Sequence, residues 1–191
     1  MGYTHYWALK PGCNNPEKFA EAIDLFKKCW EKAPKTFTCH IWDNEERRYK
    51  TKRVRKDNLL FDGDGTGNPT STKDTLCFNG NAKYCLDHET FRICLADFAD
   101  TENSWSRKEG GSIWDFCKTA EKPYDLAVCL ALLSFKEVFG DDFEFSSDGV
   151  TRESILDPEN IAYWERIGWT PKIEEGWKKA YKIFDQVVAR D

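Results

Sequence analysis

The residues best suited to binding chemistry in this chain lie just before its most apolar predicted helix. Residues 124–139 are apolar at all but four positions, which is typical of a buried helix. The backbone N–H groups at a helix N-terminus point outward, and the helix dipole favours negative charge there. Lys118, Thr119 and Lys122 could therefore bind a phosphate or a carboxylate. In the alternative interpretation Asp125 caps the helix and the lysines are solvated.

A second candidate is the string Asp-Gly-Asp-Gly-Thr at residues 62–66. It matches the nucleophile pattern of the haloacid dehalogenases, but that fold needs a helical crossover after the strand, and loop and strand patterns follow instead. As a calcium loop it would place Ser71 where a carboxylate is required. The favoured interpretation is a tight glycine turn in which Asp64 caps backbone amides.

The histidines and cysteines show no metal-binding spacing. His5, His40 and His88 form no H-x-x-x-H pair, and the eight cysteines form no C-x-x-C pair, so the sequence predicts no metal site. His5 lies in a strand pattern, which favours a buried or sheet-face role over a catalytic one. His88 and Glu89 open a predicted strand, as site residues or as part of a solvated turn.

Composition restricts the partners and the compartment. The net charge is -5, which gives no general reason to expect nucleic acid or an anionic membrane. The longest apolar run is too short to cross a bilayer, and the N-terminus shows no secretory signal pattern. We therefore expect a cytoplasmic protein, outside the membrane, whose cysteines are reduced thiols.

One segment departs from this acidic balance. We expect residues 47–56 to form a mobile, solvated arm, although nucleic-acid binding by this arm is an alternative. The basic residues of this arm are Arg47, Arg48, Lys50, Lys52, Arg53, Arg55 and Lys56.

Hydrophobic periodicity predicts an α+β fold in one domain spanning residues 1–191. The predicted order is a strand, a helix, a run of strands, the buried helix, a strand and two helices. Consecutive strands without intervening helices indicate a largely antiparallel sheet, with the buried central helix and two to three further helices packed on it. Residues 43–56 are expected to form an exposed basic insertion, and residues 152–191 a C-terminal helical extension.

Local signals set the expected ends of the helices. Asn15 and Pro16 predict the start of the first helix. Asp157 opens a short helix that ends near Gly168, and the string Thr170-Pro171 predicts the start of the last helix.

A set of short strings occurs in a fixed order along residues 1–150. They are M-G-Y-T-H-Y-W at residues 1–7, D-G-T-G-x-P at 64–69, F-N-G at 78–80, E-T-F at 89–91, F-C-K-T at 116–119 with K-P-Y-D at 122–125, and S-D-G at 147–149. Together they resemble a family of small proteins of unassigned activity found in bacteria, bacteriophages and large viruses. That family often has arginine where this chain has Glu121, a difference that would weaken an anion site. Asp62 is outside the shared pattern, which counts further against a dehalogenase.

The resemblance implies a common site formed by the polar residues of these strings. We expect them to converge at one end of the sheet and to bind a small phosphate-bearing or nucleotide-like ligand, with Tyr6 or Trp7 stacking on it. Viral relatives extend the hypothesis to sequestration of a host signalling nucleotide. The expected ligand-binding residues are His5, Asp64, Asn79, Glu89, Lys118, Thr119, Lys122, Asp125 and Asp148.

Two alternatives stay open at the level of sequence. The first is a hydrolase or transferase acting on a nucleotide-like substrate, in which Asp64, Glu89 and either His5 or His88 act as acid–base groups, with or without a metal. The second is an interaction module that binds nucleic acid through the basic arm. The sequence identifies no cofactor.

Overall fold

The computed structural model describes residues 3–43, 45–98 and 112–189. Within these ranges the chain forms five α-helices and nine strands, which confirms the α+β class. Met1 and Gly2, which begin the first of the family-like strings, lie outside the described residues. None of the described helices combines the length and apolar character that a membrane span requires.

The strands form three antiparallel sheets rather than the single sheet expected. The first has the order β8-β1-β9, the second pairs β2 with β3, and in the third β4, β5 and β7 all pair with β6. Their bounds are β1 (Thr4–Leu9), β2 (Thr36–Asp43), β3 (Arg48–Arg55), β4 (Leu60–Phe61), β5 (Thr70–Ser71), β6 (Thr75–Gly80), β7 (Phe91–Cys94), β8 (Ile113–Lys118) and β9 (Phe143–Ser147).

The helices begin at residues that satisfy their free N–H groups. Asn15 accepts hydrogen bonds from the backbone of Glu17 and Lys18, and Pro16 fits the first helical position. The side chain of Asp157 caps the fourth helix in the same way. The five helices are α1 (Pro16–Lys32), α2 (Asp125–Phe139), α3 (Arg152–Leu156), α4 (Pro158–Ile167) and α5 (Glu175–Val188).

The core surrounds α2, as its composition predicts. Most residues of α2 are buried, and α1, α5 and β9 pack against it. Phe135 meets Phe19 of α1 edge to face, with ring centroids 4.9 Å apart. The apolar stripe of α5 is also buried, including Trp177 and Phe184. This packing fixes the start of α2 against the ends of β1 and β8.

Two regions differ from the sequence-based expectation. The basic segment is largely a regular strand, because β3 pairs with β2 along its whole length and Val54 is buried beneath it. Lys56 donates to the backbone oxygens of Trp30 and Glu31 in the last turn of α1. The last helix begins at Glu175 rather than at Thr170-Pro171.

Short α3 was not predicted. Thr151 and Ser154 form its reciprocal capping box. Serine at the N3 position replaces the usual glutamate or glutamine, which is why the motif is difficult to recognise in the sequence.

Candidate functional site

Some of the predicted site residues lie around the start of α2, and three of them, His5, Thr119 and Asp125, form a buried polar contact. His5 Nε2 lies 2.7 Å from Asp125 Oδ1, and Thr119 Oγ1 donates to the same oxygen. The Cys129 thiol lies 3.7 Å from Asp125 Oδ2. His5 is fully buried, and no residue in the described ranges hydrogen-bonds to its Nδ1. We call His5, Thr119, Asp125 and Cys129 the buried cluster.

Strand pairing and a tight turn place these side chains together. His5 pairs with Cys117 across β1 and β8, so Thr119 leaves β8 beside β1. Ala120 and Glu121 both have positive φ, and Lys122 N–H donates to Thr119 O at 3.1 Å, which closes the turn into α2. Non-glycine residues in this conformation cost about 1–2 kcal/mol each. The surrounding hydrogen bonds must offset that cost.

The lysines of the expected anion site contact acceptors of the chain itself. Lys118 Nζ lies 3.6 Å from a Glu89 carboxylate oxygen, and Glu89 also accepts from Lys118 N–H at 2.8 Å. Lys122 donates to Cys85 O at 2.9 Å and to Asp87 O. These contacts join the loop before β7 to β8 and to the start of α2, so the two lysines do not form an open positive cradle.

Asn79 organises the loops next to this region. Its amide donates to Gly63 O and His88 O, and its Oδ1 accepts from His88 N–H and Gly80 N–H. Gly80 is required because an added Cβ would lie 1.9 Å from Leu86 O. Asp64 accepts from Thr66 in the glycine turn, as expected from the sequence. Asp64 and Asn79 therefore hold loops in place.

Burial favours the protonated forms of the Cys117 thiol and the Tyr124 hydroxyl, which lie next to the buried cluster. It raises the pKa of the Cys117 thiol far above its usual value, and this thiol donates to Glu89 O. It likewise raises the pKa of Tyr124, whose hydroxyl donates to Glu89 O at 2.7 Å. A protonated Cys117 is a poor nucleophile. The region around the start of α2 thus has the character of a satisfied polar core.

Asp148 lies apart from the lysines, at the end of β9. Its Oδ2 accepts from Thr4 N–H at 2.9 Å, and its Oδ1 lies 3.5 Å from the Tyr6 hydroxyl. A Cβ on the following residue, Gly149, would lie 1.6 Å from a Glu174 carboxylate oxygen, so a larger residue there would displace the Glu174 side chain from its hydrogen bond with Tyr3. Trp7 is only 2% exposed, so it cannot stack on a ligand in this conformation as the sequence suggested. Tyr6 is half-buried.

Asp148 opens instead onto a cleft between the end of β9 and the helices α3 and α4. The cleft has a volume of about 450 Å³. No lysine, arginine or histidine is among the described residues that line it. We call it the β9–α4 cleft, and its lining includes Phe145, Asp148, Glu153, Asp157, Asn160, Trp164 and Trp169.

Two tryptophans give the cleft its aromatic wall. Trp164 and Trp169 lie with ring centroids 5.6 Å apart and ring planes at 70°. Trp169 N–H donates to Trp164 O at 3.0 Å across the αL cap at Gly168, which fixes their spacing. Trp169 remains 47% exposed. A single exposed ring is common on protein surfaces, so it is the position of Trp169 beside Trp164 in the cleft lining that makes it a candidate contact for a ligand.

Three carboxylates line the same cleft, each held by uncharged donors. Asp148 binds backbone and tyrosine groups, Glu153 accepts from the Tyr181 hydroxyl, and Asp157 accepts from Glu159 N–H at 2.8 Å. Arg152 pairs instead with Asp185, at 2.9 Å. Within the described ranges none of the three carboxylates forms an ion pair. Their negative charge is therefore positioned but not paired with a cation at salt-bridge distance in the described part of the chain, while Arg152 interacts electrostatically with Glu153 without forming such a pair.

Of the predicted site residues, only Asp148 lines this cleft. Sequence reasoning identified Asp157 as a helix cap and did not identify Glu153, Trp164 or Trp169 as site residues. The available signal was a pair of tryptophans on either side of Gly168 in a short polar helix.

Comparison with known proteins gives no relatives for this chain. No family model, no curated protein sequence and no solved structure matches it.

Proposed function

We propose that this chain is a small-molecule-binding domain whose ligand is cationic and binds in the β9–α4 cleft. Binding of a small molecule was the leading expectation from the sequence, and the change concerns the place and the charge of the ligand. The observation that carries the proposal is a cleft with two tryptophans and three carboxylates that lack ion-pair partners within the described ranges.

The shape of the cleft supports a ligand of metabolite size. Pockets for small molecules measure roughly 300–1,000 Å³ and combine apolar walls with a few placed polar groups. The cleft, at about 450 Å³, lies within this range. Asn160 and Ser154 add hydrogen-bonding groups beside the aromatic rings.

Charge supports an amine or a methylated ammonium group as the recognised feature. Aromatic rings attract cations through their negative faces, and tryptophan is the strongest of them in this respect. The nearby carboxylates attract a cationic ligand by Coulomb forces, and the same charges would repel a phosphate. Polyamines, choline-like compounds and methylated lysine share this chemistry.

Calorimetric titration of the intact chain provides the test. Spermidine, choline and trimethyl-lysine are the cationic probes, and inorganic phosphate and AMP are the anionic ones. We expect one class of cationic probe to bind and both anions to fail. Trp164→Ala should weaken that binding at least tenfold, which corresponds to about 1.4 kcal/mol.

Matched variants separate the cleft from general effects. Trp114→Ala removes a half-buried tryptophan of β8 that is not in the cleft lining, and it should bind like the unmodified chain. Glu153→Gln keeps an acceptor for Tyr181 while removing one charge, and it should weaken binding. Equal losses in Trp164→Ala and Trp114→Ala, or no binding of any cation, would contradict the proposal.

The alternatives suggested by the sequence remain predictions, and each of them requires a specific change in the contacts of the structure. An anion at the start of α2 would have to displace Glu89 from Lys118 and backbone oxygens from Lys122. Acid–base catalysis by His5 would require opening of the buried cluster, because that ring is 0% exposed. Nucleic-acid binding through β3 would compete with the pairs Lys50–Asp43 and Arg48–Glu46. AMP binding that depends on Lys118 would favour the first of these.

A further inference from the structure

The buried cluster contains three different metal-ligand types in one place. An imidazole nitrogen of His5, a carboxylate oxygen of Asp125 and the Cys129 sulfur all lie within 4.8 Å of one another. All three residues are classed as buried. The His5 ring contacts Asp125 through Nε2, and among the described residues its Nδ1 has no hydrogen-bond partner.

Helix geometry explains why two of these ligands converge. Asp125 and Cys129 are four residues apart on α2, so they lie on the same face one turn apart. Their spacing is the same as in H-x-x-x-H pairs, with a carboxylate and a thiol as the donors. His5 approaches from β1, the central strand of its sheet. The metal motifs sought in the sequence did not include this combination.

We propose that His5, Asp125 and Cys129 form a zinc-binding site that joins β1 to α2. Thiolate, imidazole and carboxylate are the three protein ligand types of Zn²⁺. The 3.7 Å between Cys129 Sγ and Asp125 Oδ2 already fits neighbouring ligands of one tetrahedral ion. The 2.7 Å between His5 Nε2 and Asp125 Oδ1 must open to about 3.3 Å, given Zn–N and Zn–O bonds near 2.0 Å.

Proton balance in this site is simple. Zinc binds the thiolate, so the Cys129 thiol proton leaves to solvent as the Zn–S bond forms. The metal replaces the direct contact between His5 Nε2 and Asp125 Oδ1, and Thr119 continues to donate to the carboxylate as an outer partner. Three protein ligands leave one tetrahedral position for a further donor such as a water molecule. Because the three ligands join β1 to α2 in the core, binding of the ion stabilises the fold, and the site is independent of the β9–α4 cleft.

Cobalt substitution and metal analysis test the site on the intact chain. The protein is purified without added chelator, and its zinc content is measured by mass spectrometry. After zinc removal, Co²⁺ is titrated while the thiolate-to-cobalt charge-transfer absorption is recorded. We expect one equivalent of metal, a saturable band, and a higher melting temperature with Zn²⁺ than after chelation.

Variants identify the sulfur ligand. Cys129→Ser should abolish the cobalt band, whereas Cys29→Ser, which alters an equally buried thiol of α1, should retain it. Cys85→Ser removes the exposed thiol that would give adventitious binding, and it should also retain the band.

Should Cys129→Ser not fold, X-ray absorption at the zinc edge of the unmodified protein replaces it. One sulfur at about 2.3 Å with nitrogen or oxygen ligands at about 2.0 Å is expected. A chain that folds without metal and shows no cobalt band would overturn the proposal. So would a zinc spectrum without sulfur, or a band that survives in Cys129→Ser.

Discussion

The start of α2 and the β9–α4 cleft both contain acidic and aromatic residues, but they differ in whether the charged side chains are paired with partners from the chain itself. Around α2 the charged side chains contact partners from the chain itself, as Lys118 does with Glu89 and His5 with Asp125. In the cleft, Glu153 and Asp157 accept only from uncharged donors within the described ranges. The first arrangement stabilises a fold, whereas the second leaves net charge available to a ligand.

This difference shows where motif-like residues are informative. The strings that resemble a protein family supply hydrogen bonds and close approaches, such as those of Asn79 and Gly149. The two tryptophans of the cleft, Trp164 and Trp169, belong to the C-terminal region outside those strings. Four experiments test this division, from the largest expected effect to the smallest, and cysteine labelling adds a fifth, independent one.

Removal of the central carboxylate should give the largest effect. Asp125→Ala leaves His5 buried without its partner and removes the acceptor of Thr119. Breaking a buried pair in this way costs about 3–5 kcal/mol. Urea unfolding of the unmodified and variant chains would measure it. Asp125→Asn keeps an acceptor oxygen and should lose less, and equal losses in the two variants would show that charge alone matters.

Truncation of Asn79 should have a smaller effect on stability. Asn79→Ala leaves the N–H groups of Gly80 and His88 without their acceptor. We expect the free energy of unfolding to fall by about 2 kcal/mol, within the range for unsatisfied buried groups. Calorimetric melting would detect the change. Unchanged binding of a cationic ligand in this variant would support the separation of the two regions.

Substitution in the cleft should affect ligand binding strongly and stability only slightly. Trp169 is half exposed, so Trp169→Ala should change the free energy of unfolding by only about 0.5 kcal/mol. The same variant should weaken binding of the cationic probe about tenfold. Paired urea and titration measurements would establish both values. A loss of stability comparable to that of Asn79→Ala would instead make Trp169 part of the structural core.

Thiol titration gives the smallest effect. All eight cysteines are free, and burial raises the pKa of Cys29 to about 11. Because the folded state holds this proton more tightly, its contribution to stability is complete below the unfolded thiol pKa of about 8.5 and is lost as pH rises towards 11. Melting temperature should therefore fall slightly over that interval, and less so in Cys29→Ala.

Labelling of the native chain provides an independent comparison. At neutral pH, exposed Cys85 should react first with a thiol reagent, and buried Cys117 should stay protected. Rapid labelling of Cys117 would mean that the region before α2 opens easily.

Much of the fold could be predicted because its signals are local. The apolar composition of α2 indicated a buried helix, and Asn15-Pro16 and Asp157-Pro158 fixed two helix starts. The start of α5 was placed too early because Thr170-Pro171 resembles a cap, whereas Glu174 is the actual N-cap residue. The separation into three sheets was also missed, since strand order depends on pairing between distant segments.

The sequence by itself determined the buried central helix, the α+β class and the group of polar residues near the start of α2. Only the tertiary structure decided how those residues pair, because His5 and Asp125 are 120 positions apart and Glu89 lies 29 positions from Lys118. The same is true of the β9–α4 cleft, whose walls come from a strand end and two short helices. Helix periodicity is a property of neighbouring residues, whereas the partner of a charge is set by the packing of the whole chain.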